Sequence, residues 1–87
     1  MRISLEIADY NPLVGVVTEW ADEGRVNVRR DVDGSVIIEA NADGLISLAK
    51  LFLFLALESV PAGSHSHQGD YNDLDDGSLE LTVAKKV

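Results

Sequence analysis

The sequence has no cysteine, only two prolines and few aromatic residues. Without cysteine, a disulfide framework, a thiolate nucleophile and a zinc finger are all excluded. Positive charge is also scarce: 7 Lys and Arg stand against 15 Asp and Glu, which gives a formal net charge of −8 at pH 7. Because phosphate backbones and anionic membranes both attract a positive protein surface, we expect neither nucleic acid nor a membrane as partner.

Long apolar runs are missing as well. The longest, residues 51–57, is far shorter than the roughly 20 residues that a membrane span needs. The first residues show neither the uninterrupted apolar region nor the small-residue cleavage site of a secretory signal. We therefore expect a cytoplasmic protein. The 87 residues, 46% of them hydrophobic, suit a single domain spanning residues 1–87 around one core.

The N-terminal half of the sequence predicts four strands. Residues 2–7 alternate between apolar and polar, and residues 13–20 are rich in β-branched side chains, so each segment indicates a strand. Residues 25–31 and 35–40 flank an Asp-Gly turn and predict a hairpin.

The register of this hairpin follows from its aliphatic residues. A three-residue loop with Gly34 in the left-handed conformation sets Val28 opposite Ile38 and Val26 opposite Ala40. This pairing gathers the aliphatic side chains on one face, and register follows the buried face. We therefore predict a three-residue loop.

One helix and two more strands complete the prediction. A Leu- and Ala-rich run begins after Asp43, which we expect as the N-cap, and stops before Pro61 and Gly63. Residues 64–68 and 78–86 predict the last two strands. The expected fold is α+β: a single antiparallel sheet of about six strands, order ββββαββ, with one apolar helix packed on one face. The predicted core stripe of the helix comprises Leu45, Leu48, Ala49, Phe52, Leu55 and Ala56.

Two apolar residues, Leu51 and Phe54, fall on the far side of this stripe. They predict either a self-association contact between two copies of the chain or a surface covered by the chain's own loops. Either a monomer or a homodimer is compatible with this pattern.

The two histidines lie two residues apart. On a strand, His65 and His67 point to the same side, and Asp70 follows three residues later. Two imidazoles and a carboxylate are a metal-ligand set, so a small metal-binding module is one hypothesis; two surface histidines are the other. We predict no cofactor.

An acidic stretch follows the histidines. Asp70, Asp73, Asp75 and Asp76 surround Tyr71 and Leu74. The pattern is typical of a solvated loop, or of a docking surface for a basic protein in which Tyr71 is an anchor. No nucleophile elbow, P-loop or dinucleotide-binding glycine pattern occurs, so we do not expect an enzyme.

Residues 36–84 resemble the immunity protein 32 family of bacterial polymorphic toxin systems. The similarity rests on Ile38-Glu39-Ala40, on Asp43-Gly44-Leu45 with Leu48-Ala49, on Val60-Pro61 with Gly63-Ser64-His65 and His67, and on Leu74 with Gly77-Ser78 and Glu80-Leu81. The resemblance implies a non-catalytic protein that binds and neutralises a cognate toxin. A toxin domain is the kind of basic partner that the acidic stretch fits. Our candidate partner-binding residues are His65, His67, Asp70, Tyr71, Asp73, Asp75 and Asp76.

Overall fold

Two antiparallel hairpins and one helix make up the fold, which a computed structural model describes for residues 1–87. The elements are β1 (Val26–Arg30), β2 (Val36–Ala40), α1 (Ala42–Ala56), β3 (His65–Gln68) and β4 (Leu81–Ala84). β1 pairs with β2, and β3 pairs with β4. No helix has the length and apolar character needed to cross a membrane.

The prediction of a single six-stranded sheet is wrong. There are two separate two-stranded sheets, and residues 2–7 and 13–20 form no strand. The physical reason lies at the outer edge of β1. There the backbone N–H of Asp75 donates to the carbonyl of Val26, and that of Leu79 to the carbonyl of Val28, both at 2.8 Å. This edge is therefore occupied by the chain that leads into β4. The protein remains α+β, with the order ββαββ.

The predicted register of the first hairpin is confirmed. Val28 lies opposite Ile38 and Val26 opposite Ala40. Gly34 has a φ of 90°, and its N–H donates to the carbonyl of Asp31 at 3.0 Å. Only glycine adopts this conformation without strain, so the loop position and the aliphatic pairing agree.

The helix begins two residues earlier than expected because Asn41, not Asp43, is its N-cap. The Asn41 side-chain oxygen accepts the backbone N–H groups of Gly44 at 2.8 Å and Arg25 at 2.9 Å. Its amide nitrogen donates to the Glu23 carbonyl at 2.9 Å. Asn41 thus caps the helix and ties it to the segment before β1, which an aspartate inside the first turn cannot do.

The core consists of two apolar clusters. The first cluster lies below the hairpin and contains Val26, Val28, Leu48 and Leu74. Trp20 packs against it. The second, beneath the N-terminal segment, contains Leu51, Phe54, Leu55 and Val60. Ile7, Ala8, Tyr10, Val16 and Val17 pack against this second cluster. The N-terminal residues that we expected in strands therefore cover the helix with their side chains instead.

The predicted core stripe of α1 needs correction for the same reason. Leu51 and Phe54 are only 1% and 2% exposed, because the N-terminal segment lies over them. Leu45 and Phe52, expected in the core, are 54% and 48% exposed. Leu51 and Phe54 are therefore not available at the surface for a contact between copies.

Candidate functional site

The acidic loop, residues 69–77, is held in place by one asparagine. The Asn72 side-chain oxygen accepts the backbone N–H groups of Gly69 at 2.8 Å and Asp73 at 2.7 Å. Its amide nitrogen donates to the His67 carbonyl at 3.1 Å. Three bonds from one side chain fix the start of the loop on the end of β3.

The second half of the loop is fixed to the hairpin and the core. Leu74 is 5% exposed and packs in the first core cluster. Asp75 bonds Val26 through its backbone, and Ser78 Oγ accepts the Val28 N–H at 3.2 Å. A loop held in this way loses little conformational entropy on binding.

Three carboxylates of the acidic loop share one open concavity. We call this surface the acidic concavity; its volume is about 500 Å³, and it is lined by Gly24, Arg25, Asn72, Asp73, Leu74, Asp75 and Asp76. Its one cation, Arg25, bonds the carbonyl oxygens of Asp22 at 3.2 Å and Gly24 at 2.9 Å. None of the chain's ion pairs includes a carboxylate of the acidic loop. Because no intrachain ion pair neutralises these charges, they are available to a cationic partner.

The two histidines point to the same side of β3, as the sequence predicts. His65 and His67 are exposed, whereas Ser66 and Gln68 between and after them are buried. The two rings meet edge to face with centroids 4.9 Å apart.

Each imidazole has its own neighbours on this surface. His65 Nδ1 lies 3.1 Å from the Gly63 carbonyl oxygen. His67 Nδ1 lies 2.9 Å from Thr82 Oγ1 and 3.5 Å from a Glu80 carboxylate oxygen. These contacts fix the rings from β4 and from the chain before β3.

A metal site of His65, His67 and Asp70 is not formed. No group of three His, Cys, Asp or Glu residues is placed to hold a metal ion. One Asp70 carboxylate oxygen instead accepts the Gly77 N–H at 3.3 Å and closes the acidic loop. The third ligand that the spacing suggested is engaged in the structure of the loop itself.

Tyr71 lies beside Glu80, which contacts His67, and it does not line the acidic concavity. Its ring packs on Gly69, where any Cβ would overlap it, and the side chain is 67% exposed. Partial burial, followed by the negative charges of Glu80 and Asp70, raises the pKa of Tyr71 above its ordinary value. Glu80 therefore neighbours both Tyr71 and His67. We call this second surface the histidine face: His65, His67, Tyr71, Glu80 and Thr82.

The seven predicted residues thus divide between two surfaces. Asp73, Asp75 and Asp76 line the acidic concavity, and His65, His67 and Tyr71 lie on the histidine face, with Asp70 closing the loop between them. Sequence reasoning missed Arg25, Asn72 and Glu80. Only the role of Asn72 had a signal in the sequence, because asparagine side chains in turns often hydrogen-bond to nearby backbone groups.

Comparison with known proteins gives one match. A family model described as Immunity protein 32 matches residues 35–86, more than half of the chain. The match includes β2, α1, the second hairpin and the whole acidic loop. It confirms the resemblance seen in the sequence. No curated protein and no solved structure matches.

Proposed function

The chain belongs to the Immunity protein 32 family, and from that premise we propose that it binds a cognate toxin and blocks it without catalysis. We propose further that the acidic concavity docks on a basic surface of the toxin. The histidine face, at the other side of the same loop, provides a flanking contact in which Tyr71 is the aromatic anchor.

The observation that carries this proposal is a set of carboxylates that form no ion pair within the chain. Asp73, Asp75 and Asp76 line an open concavity, and no ion pair within the chain includes them. A folded chain gains nothing from placing like charges together, since they repel one another. A cationic partner removes this repulsion because its positive charges attract the three carboxylates.

The rigidity of the acidic loop supports the same function. Asn72, Leu74 and the backbone of Asp75 hold the loop before any partner arrives. A pre-organised surface loses little entropy on association, and a net charge of −8 steers a basic protein towards it. A toxin that acts on nucleic acid carries a basic cleft for phosphate groups, and the acidic concavity presents carboxylates where the phosphates would lie.

Charge reversal tests the proposal. We expect the cognate toxin to be encoded beside this protein, and its toxin domain is the binding partner in the experiment. The variant Asp73→Lys, Asp75→Lys, Asp76→Lys should slow its association at low salt by about tenfold or more, and should flatten the salt dependence of the rate. Stopped-flow fluorescence measures the rate, and circular dichroism checks that the variant is folded.

A matched control separates the acidic concavity from net charge. Glu6, Asp9 and Glu58 are exposed acids outside the concavity. Their triple replacement by Lys changes the net charge equally but should slow association much less. Equal slowing by the two variants, or unchanged binding by the first, would show that the docking surface lies elsewhere.

A further inference from the structure

One side of α1 is apolar along its length and lies in solvent. Leu45, Ile46, Phe52 and Leu53 are between 45% and 54% exposed. Ile46, Phe52 and Leu53 follow Leu45 by one, seven and eight residues, which places all four on one face of the helix. We call this face the apolar stripe. The only charged residue between Gly44 and Leu57 is Lys50. A contiguous exposed apolar patch of this kind often marks an interaction site.

The outer edge of β2 is also uncovered. In the hairpin, every second residue of β2 is hydrogen-bonded to β1. The Asp31 N–H donates to the Ser35 carbonyl, and in this register Ile37 and Glu39 are the β2 residues that face β1 with their backbone groups. The N–H and C=O groups of Val36 and Ile38 therefore point away from β1. They bond nothing in the chain, and both side chains are partly exposed, at 55% and 42%. The outer edge of β1, in contrast, is occupied by residues 75–79.

The near side of the apolar stripe, at Leu45 and Phe52, adjoins the side of α1 that packs under the hairpin. α1 follows β2 after a single residue and packs against it. Leu45 and Phe52 are three and four residues from Leu48, which packs with Val28 in the core. Val28 in turn lies opposite Ile38. The two features therefore form one surface, the edge surface, made of the apolar stripe and β2.

The whole chain exposes more surface than a compact monomer of its length, by an amount of the size that an ordinary interface covers. The chain exposes 6066 Å², whereas a compact monomer of this length exposes about 5,000 Å². The difference, about 1,000 Å², is close to the roughly 800 Å² that each partner contributes to a standard interface. The radius of gyration of 13.6 Å likewise exceeds the roughly 12 Å of a compact domain of this length.

We propose that the edge surface binds a second copy of this chain in a two-fold symmetric dimer. The β2 strands pair antiparallel about Ile38, so that Val36 bonds Ala40 of the other copy, and the two apolar stripes pack together above the resulting four-stranded sheet. Such a pairing satisfies the free edge, which natural proteins seldom leave as an uncovered apolar strand.

Charge selects a second copy and not the toxin as occupant. Two chains of net charge −8 repel each other wherever acids meet. Within the edge surface the one acid is Glu39, which pairs with Arg29 at 3.1 Å; Glu19, near Ile46, lies 3.9 Å from Lys50. A basic partner gains no electrostatic attraction at the edge surface. A second acidic chain is repelled less there than at the acidic parts of the surface. The acidic concavity is on the opposite edge of the hairpin, so it stays open in the dimer.

Sedimentation of the protein alone tests this dimer. At about 100 µM, a range in which a moderate interface is populated, the wild-type chain should sediment as two copies. Leu53→Glu should weaken dimerisation at least tenfold because it places a charge in the packed stripe. Leu13→Glu is the matched control: Leu13 is 95% exposed and lies in the N-terminal turn, so this variant should remain dimeric.

Two further readouts keep the test independent of the proposed toxin binding. Dimerisation should strengthen with salt, since salt screens the repulsion between acidic chains. Hydrogen exchange at the outward amides of Val36 and Ile38 should slow as protein concentration rises. A monomeric wild type, or a Leu53→Glu variant that still dimerises, would overturn the proposal. A monomeric wild type whose toxin binding is lost in Leu53→Glu would assign the edge surface to the toxin instead.

Discussion

At the scale of single residues, the loop of the first hairpin shows how one neighbouring residue lowers the pKa of a carboxyl group. Asp33 accepts the hydroxyl of Ser35 and the backbone N–H of the same residue, the latter at 2.9 Å. The hydroxyl, then the backbone N–H, lower the pKa of Asp33 below its ordinary value of 3.8. The folded state therefore favours the carboxylate more than the unfolded chain does.

The sign of the resulting pH dependence follows from that direction. The contribution of Asp33 to stability is present above the unfolded-state pKa of 3.8. It is lost as the pH falls through the lower folded-state value. Carboxyl-carbon NMR titration should show Asp33 titrating below 3.8, and Ser35→Ala should raise its pKa. Ser4→Ala, a change at an exposed serine outside the hairpin, should leave it unchanged. An Asp33 that titrates at 3.8 in the wild type would contradict the account.

At the scale of elements, α1 has two apolar sides and only one of them is in the core. Phe54 is 2% exposed and lies 6.4 Å from Tyr10, measured between ring centroids, whereas Phe52 is 48% exposed. Phe54→Ala should therefore lower the free energy of unfolding by about 3–5 kcal/mol, by lost burial and an internal cavity.

Phe52→Ala is the comparison on the other side of the helix. At low protein concentration, at which the proposed dimer dissociates, it should cost only about 1 kcal/mol, because about half of the Phe52 side chain is buried and no enclosed cavity forms. Urea unfolding at that concentration measures both variants. Equal losses for the two changes would mean that the helix is rotated relative to the structure described above.

The two apolar sides of α1 also explain why the sequence predicted the hairpin register but not the buried side of the helix. The hairpin register was predictable because the Asp-Gly turn and the aliphatic alternation are local and agree with each other. The buried side of α1 was not, since its composition is apolar all round and hydrophobic periodicity carries no preference. The missing N-terminal strands have a similar cause: residues 75–79, about 50 positions from β1 in the chain, occupy the edge.

The candidate site likewise has features that the local sequence predicts and features that it does not. The shared side of His65 and His67 follows from strand alternation, and the acidic loop follows from composition. The position of Arg25 beside Asp75, and of Glu80 beside Tyr71, depends on tertiary packing between distant segments. The local sequence therefore could not predict these neighbours.

At the scale of the whole molecule, the two edges of the first hairpin have opposite properties. The outer edge of β1 is bonded to residues 75–79, which belong to or follow the acidic loop and bring its carboxylates beside it. The outer edge of β2 is free, apolar and almost without charge. We propose that the first edge takes a basic toxin and the second a copy of the chain. Salt should then weaken one association and strengthen the other.

The most direct test of the central claim is a hydrogen-exchange footprint of the complex with the proposed cognate toxin. We predict slower exchange in peptides that span residues 70–77 when the toxin binds. Peptides that span β2 and α1 should exchange as they do in the free protein at the same concentration. Slowing confined to β2, α1 or the N-terminal segment, with the acidic loop unchanged, would contradict the proposal that the acidic concavity is the toxin-binding surface.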